Sequence, residues 1–270
     1  KVTWREGDIN LWKDQVRKAV AVIQRDSLDK VVLAREIIAD TDSPIDPRAA
    51  LRKLAMDYPG TWVYSNSGLI GATPELLIRL NNSMVVSRVL AGTISKTGDD
   101  SKDLALAASL ARSSKDLEEH EYAVRSVADA LAPFCSSTNV PDAPFVLHLS
   151  NVMHLATDVT GAIKEGHKVI DIFSILSKLH PSAAVCGTPT NSAADLIKKL
   201  EGINRGRYAG PIGWIDARGD GEQGLALRCG YLTDKEVHAY AGCGIVAGSD
   251  AEHEAAESEA KLLPIINALR

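Results

Sequence analysis

Apolar residues along the chain alternate between a helical and an extended spacing. In residues 10–25, Leu11, Val16, Val20 and Ile23 recur near a period of 3.6 and predict an amphipathic helix. The β-branched run at 28–35 predicts a strand, with Lys30, Val32 and Ala34 on one face and Val31, Leu33 and Arg35 on the other. Residues 47–56 predict a helix. Residues 61–65 and 68–72 predict a hairpin across Asn66-Ser67. Pro74 forces Thr73 into an extended geometry and argues against a regular strand through that point. A strand at 84–89 leads into Leu90-Ala91-Gly92-Thr93, and the polar residues 99–103 predict a mobile loop. In the helix predicted at 115–133, one stripe carries Leu117, Val124, Val127 and Leu131. Glu119 lies on another face in step with Ala123, Ser126 and Ala130, a small-residue face that another element could approach closely.

The second half continues in the same way. Residues 145–155 alternate loosely and predict a strand carrying His154. Helices at 169–179 and 192–200 flank a segment of small residues between Pro181 and Pro189. That segment is too slight to build core and fits a wall against which a ligand lies. Residues 207–214 begin the last sheet region, which turns at 218–221 and returns as a strand at 225–232. A strand at 237–240 passes Gly242, Gly244 and Gly248 into a helix whose start, Ser249 with Glu252, fits a capping box. Many strands joined by short turns, with helices in groups, predict an α+β fold with mainly antiparallel sheets. No repeat or linker divides the chain, so residues 1–270 are expected to form one domain.

Composition narrows the class. The 270 residues are 45% hydrophobic, enough for a sizeable core, and 30 Lys and Arg against 35 Asp and Glu give no basic surface for nucleic acid or anionic membrane. No stretch approaches a membrane span, and the first residues lack the layout of a secretion signal. The absence of an initiator Met reads as a fragment or a trimmed chain. Cys135, Cys186, Cys229 and Cys243 are widely spaced with no C-x-x-C, which predicts reduced thiols in the cytoplasm and neither a zinc site nor a disulfide framework.

A few residues carry candidate chemistry. Lys30, if turned inward among apolar neighbours, would have a lowered pKa and could act as a base. Glu75, beside an irregularity and ahead of an apolar run, could have a raised pKa and act as an acid; a surface Glu beside a bulge reads equally well. Arg228 interrupts an apolar strand and needs a carboxylate partner, from the protein or a substrate. Glu254 and Glu257 at i, i+3, with Lys261 four residues on, share a helix face. They could hold a hard cation such as Mg²⁺ or form a solvated acidic face with one ion pair.

The ordered segments DKVVLAR, GATPELL, LAGT, KDLEEHE, LHPSAAVCGTP, RYAGPIGW, ALRC, and AGCGIV followed by E-x-x-E-x-x-x-K resemble the chorismate-utilising enzymes over nearly the whole chain. Within that family the pattern is most similar to the catalytic core of isochorismate synthases of the menaquinone and siderophore type, without their N-terminal portion. The resemblance implies large sheets packed as a sandwich with helices outside, a chorismate substrate, Mg²⁺ as cofactor, and a monomer. It implies that Lys30 activates water for attack at ring carbon 2 and that Glu75 protonates the hydroxyl leaving from carbon 4. Glu119 and Glu257 match the principal metal-binding acids, with Glu254 in support. Tyr208 and Arg228 match a clamp on the enolpyruvyl carboxylate, assisted by backbone amides at Gly242 and Gly244. Lys261 matches a residue near the metal and ring carboxylate, Thr93 and His154 match positions close to the ring, and Ala184 and Val185 match the wall. Ammonia-using relatives, the anthranilate and aminodeoxychorismate synthases, usually carry Gln at the position of Lys30. Salicylate synthases, which go on to eliminate pyruvate, usually carry Thr at the position of Ala184. Both differences favour stopping at isochorismate, whereas Tyr208 is more like the salicylate branch.

Overall fold

The computed structural model describes residues 1–5, 7–25, 28–164 and 170–270. The chain begins with β1 (Val2–Trp4), α1 (Ile9–Ile23), β2 (Lys30–Thr41) and α2 (Pro47–Asp57). Four strands follow: β3 (Trp62–Asn66), β4 (Leu69–Thr73), β5 (Leu76–Asn81) and β6 (Met84–Ser95). Helices α3 (Asp100–Leu110) and α4 (Ser114–Leu131) lead to β7 (Cys135–Asn139), β8 (Phe145–His148) and β9 (Val152–Ile163). Then come α5 (Ile172–Leu179), β10 (Gly187–Thr188) and α6 (Thr190–Leu200). The chain ends with β11 (Pro211–Ile215), β12 (Gly221–Leu225), β13 (Cys229–Leu232), β14 (Glu236–Ile245) and α7 (Ala251–Ala268).

The strands form two seven-stranded sheets. The first runs β1-β2-β14-β13-β4-β3 with β10 added to β2. The second runs β11-β12-β5-β6-β9-β7 with β8 added to β9. Among the described residues every pairing of these strands is antiparallel, so the expected α+β class with mainly antiparallel sheets is met. The largest apolar cluster joins the sheets, taking Ala34, Cys229 and Tyr240 from the first and Ile78, Val89 and Val159 from the second.

The chain changes sheet four times, and two of these crossings, β4 to β5 and β12 to β13, lie side by side. Pro74 cannot donate to a ladder, so β4 ends at Thr73 in the first sheet and β5 restarts at Leu76 in the second. The return crossing occupies residues 226–228, between β12 and β13. Leu225 N donates to the Glu75 carbonyl at 3.2 Å and Ala72 N to the Arg228 carbonyl at 3.3 Å, which ties the crossings together. Arg228 sits at φ +50°, a left-handed conformation that costs a non-glycine residue roughly 1–3 kcal/mol. The single strand expected over 225–232 is therefore two strands in two sheets, and Arg228 occupies the step between them rather than a strand interior.

Other expectations shift for local reasons. The polar stretch 99–103 is no loop: the Asp99 carboxylate caps α3 by accepting from Ser101 N and Lys102 N, and buried Asp103 accepts from Thr97 N at 2.7 Å. Residues 145–155 turn back on themselves as β8 and β9, with Leu149 N bonded to the Val152 carbonyl. The cap of α7 is Asp250, not Ser249, whose hydroxyl instead accepts from Val246 N. The β3–β4 turn centres on Ser67-Gly68, both at positive φ, one residue beyond the expected position. In α1, Trp12 is buried and Leu11 is exposed. The helix expected at 169–179 is described from Ile172; Val169 lies outside the described residues. The strands expected at 28–35 and 84–89 extend to Thr41 and Ser95.

Candidate active site

The paired crossings place Glu75 and Arg228 on the wall of a cavity where the sheets meet. That cavity is also lined by Thr93, Glu119, His154, Ala184, Val185, Tyr208, Gly242, Gly244 and Lys261. Glu75 is buried and shielded from water. Burial raises its pKa to about 7, against the pull of a Leu90 backbone hydrogen bond and of Lys30, Arg228 and Lys261. An unfolded Glu ionises near 4.5, so between pH 4.5 and 7 the native state holds the extra proton and stability falls as pH rises. A shift of this size corresponds to roughly 3 kcal/mol. Glu75→Gln lacks that slope, so its stability relative to wild type should improve from pH 4.5 to 8 in denaturant titrations. Parallel pH profiles for the two proteins would exclude the shift.

A chain of hydrogen bonds crosses the cavity floor. Arg228 Nη2 donates to His154 Nε2 at 2.9 Å, so the proton of the neutral ring resides on Nδ1. Nδ1 lies 3.0 Å from Thr93 Oγ1 and 3.3 Å from the Gly92 carbonyl. Burial, then Arg228 and Lys261, hold His154 well below the usual histidine range, so it stays neutral. A bulge between Ala91 and Thr93 turns Thr93 toward this chain, with Gly92 at φ +77° and the Asp116 side chain 2.9 Å from where a Cβ would stand. Thr93 also helps to lower the pKa of Glu257 from the other end of this chain.

Lys30 opens β2 and is wholly buried. Its Nζ donates to the Glu119 carbonyl at 3.3 Å and lies 3.5 Å from Glu119 Oε1. Burial lowers its pKa, opposed by Glu119 and Glu75 and assisted by Lys261. Gly244 on the neighbouring strand makes room for this pair. A Cβ there would stand 2.0 Å from Glu119 Oε1 and 2.9 Å from Lys30 Cε. Gly244→Ala should therefore displace both side chains and cost roughly 1–3 kcal/mol in a chemical melt. A wild-type melt with an intact Lys30–Glu119 contact would show that the strand yields instead.

The acids of α7 stand next to the cavity, in a second hollow that shares Thr93 with it. Glu254 is 1% exposed, and its Oε2 is buried without a hydrogen-bond partner among the described residues. Its other oxygen takes Lys115 Nζ at 2.7 Å. Glu257 accepts Lys261 Nζ at 2.5 Å, and Lys261 also donates to the Gly242 carbonyl at 2.9 Å. Burial and the charge of Glu257 raise the pKa of Glu254. Burial also acts upward on Glu257, but Lys261 and Lys115 bring it down. Cys243 Sγ and the two carboxylates offer ligand atoms within 4.8 Å of one another. Burial pushes the Cys243 thiol well up, so the anionic donors are oxygens. An orphaned buried carboxylate oxygen beside a second carboxylate fits a hard divalent cation. Glu119 lies outside that trio and faces Lys30.

Ala184 and Val185 belong to a turn closed by Val185 N and Cys186 N bonding the Ser182 carbonyl. Ser126 Oγ of α4 accepts from Ala183 N at 3.1 Å, which is the close approach foreshadowed by that helix's small-residue face. Tyr208 stacks on Tyr240 with ring centroids 5.4 Å apart, and burial keeps its phenol protonated. Its hydroxyl would stand 2.7 Å from a Cβ at Gly242. Every residue singled out from the sequence thus lies in or beside one region. Sequence reasoning missed Lys115, whose contact with Glu254 spans 139 residues and leaves no local pattern.

Residues 2–270 match the family described as chorismate binding enzyme. The chain is 35% identical over 268 residues to isochorismate synthase MenF of Bacillus subtilis (strain 168), covering 98% of this chain and 56% of that protein. The chain thus spans little more than half the length of that relative. It superposes on the solved structure of DhbC from Bacillus anthracis with a TM-score of 0.93 and 34% identity, over 100% of this chain and 74% of that one. Against MenF, the menaquinone-specific isochorismate synthase from Escherichia coli, the TM-score is 0.87 at 27% identity, over 100% of this chain and 63% of that one.

Proposed function

The chain belongs to the chorismate-binding enzymes, and from that premise we propose that residues 1–270 act as one catalytic unit converting chorismate to isochorismate. The observation that carries the reading is the opposed poise of two buried groups at one site, Glu75 on the cavity wall and Lys30 just behind it against Glu119, which also lines the cavity. Lys30 is pushed toward its neutral form and Glu75 toward its protonated form, as a base and an acid working near neutrality require.

In this reading Lys30 Nζ takes a proton from water as the water oxygen bonds to ring carbon 2. The ring double bonds shift, and the bond from carbon 4 to its hydroxyl breaks as Glu75 delivers its proton to that oxygen. One water enters and one leaves, so the reaction is an isomerisation. Arg228 and Tyr208 hold the enolpyruvyl carboxylate, with amides near Gly242 and Gly244. Thr93 and His154 sit under the ring, and Ala184 and Val185 close the far side. Glu257 and Glu254, with Glu119 beside them, would hold Mg²⁺, which supplies positive charge to the ring carboxylate when bound. Lys261 supports the same carboxylate and keeps Glu257 ionised. Small Ala184 leaves no hydroxyl at the wall, in keeping with stopping at isochorismate.

No helix among the described residues is long and apolar enough to cross a membrane, and the four cysteines are buried free thiols. These features agree with work in the reducing cytoplasm. Incubation with chorismate and Mg²⁺ followed by chromatography tests the proposal. Isochorismate without pyruvate supports it. Salicylate with pyruvate would mean that the reaction continues, and turnover only with ammonia would replace the reading with amination.

A further inference from the structure

We propose that Glu201 and Arg205 form a positioning clamp that fixes the distance between the wall at Val185 and the strand that carries Lys30. This rests on the isochorismate synthase reading given above. Neither side chain lines the substrate cavity, so any effect on the reaction passes through what the pair holds.

The geometry begins with the outer edge of β2. One side of that strand pairs with β14 along its length. On the other side β10 reaches only Lys30 and Val31, and β1 covers only Ala39, Asp40 and Thr41. Between these two short partners the strand edge offers backbone groups that a sheet would normally satisfy. The clamp occupies part of this gap. Ala34 N donates to Glu201 Oε1 at 2.7 Å, and Arg205 Nη2 donates to the Val32 carbonyl at 2.7 Å. The other arm of the guanidinium, Nη1, donates to the Val185 carbonyl at 2.9 Å.

Arg205 therefore bridges two neighbouring backbones that both line the cavity, and it reinforces the direct bond from Val32 N to the Cys186 carbonyl at 2.7 Å. Its charge is matched by Glu201, through Nε to Oε2 at 2.8 Å and a second contact from Nη2 to Oε1. The Glu201 side chain is 3% exposed, so the pair is held in a fixed geometry rather than screened at the surface. The same residue also fixes a third part of the cavity, because Tyr208 N bonds the Arg205 carbonyl at 2.8 Å. Strand, wall and tyrosine thus all contact Arg205 outside the reacting volume, beyond the short β10–β2 pairing that already joins wall and strand.

The chemistry makes arginine specific here. A planar fork can bond two carbonyls and a carboxylate together, whereas a lysine ammonium keeps the charge without spanning both carbonyls. Loosening the bridge should widen the gap between wall and base while leaving Arg228 and Lys261 free to hold the substrate. Misplacement of reacting groups then appears in kcat rather than in KM.

The test compares wild type, Arg205→Lys and Glu201→Gln, each as the full chain. Hydrogen exchange should rise in residues 30–36 and 182–188 of both variants and stay at the wild-type level in the second sheet. With chorismate and Mg²⁺, kcat per folded molecule should fall about tenfold for Arg205→Lys, with KM within about twofold, and less for Glu201→Gln. Unchanged exchange in those two segments overturns the clamp, and so does unchanged kcat, or a loss shared equally by KM. If Arg205→Lys does not fold, Glu201→Gln decides by the same measures. A wild-type chain that does not turn over chorismate sinks the functional reading, while the exchange measurement still decides whether the pair holds wall and strand together.

Discussion

Lys30→Ala is expected to lower kcat by about 10²–10⁴-fold, the range that a positioned general base contributes. Chorismate binding, measured by calorimetry with Mg²⁺ present, should survive, because Arg228, Tyr208 and Lys261 supply the carboxylate contacts in the proposed pose. A purely structural Lys30 makes a different prediction. Its ammonium lies 3.5 Å from Glu119 Oε1, and removing one partner of a buried ion pair destabilises by roughly 3–5 kcal/mol. Under that alternative the rate loss follows the folded fraction and disappears under conditions that restore folding. Under the proposal the loss persists in fully folded protein. Wild-type turnover by folded Lys30→Ala would remove this residue as the base.

Glu257→Gln has the second large effect. The substitution keeps the shape of the side chain but removes the charge that Lys261 and Lys115 stabilise. Loss of an outer partner of a metal ligand already costs about 10–100-fold in affinity, so loss of a direct carboxylate should weaken Mg²⁺ binding at least tenfold. Titration calorimetry of Mg²⁺ without chorismate measures this apart from activity. KM for chorismate should rise as well, because Lys261 loses the carboxylate 2.5 Å away that holds it in place. An unchanged metal isotherm would exclude Glu257 as a ligand and leave the orphaned oxygen of Glu254 without an explanation.

Periodicity carried the helices well, because α1, α2 and α4 each bury one stripe and α6 lays a half-buried one, Leu196, Ile197 and Leu200, against the core. It failed where polar residues do structural work. Asp99 and Asp103 resemble loop residues by composition, yet one caps α3 and the other is buried against Thr97. It also failed where an apolar run hides a change of partner. Residues 225–232 read as one strand, since local hydrophobicity does not record which sheet a residue joins. The crossing at Arg228 comes from long-range pairing of β12 with β5 and of β13 with β4. In the site, Lys30 and the α7 acids drew attention through their own neighbours, and the family motifs tied them together. Lys115, Glu201 and Arg205 escaped notice because their contacts join segments that are each unremarkable alone.

The two adjoining sheet crossings bear on how the protein reaches its working state. Glu36 and His238 are bonded across 202 residues, Lys30 meets Glu119 across 89, and Arg228 meets His154 across 74. Pairings this distant form slowly, because chain closure precedes the contacts that reward it. The cavity cannot exist until both sheets are complete and joined at Glu75 and Arg228. During refolding, recovery of chorismate binding should therefore lag behind recovery of helical signal, and the binding site itself reports that assembly has finished.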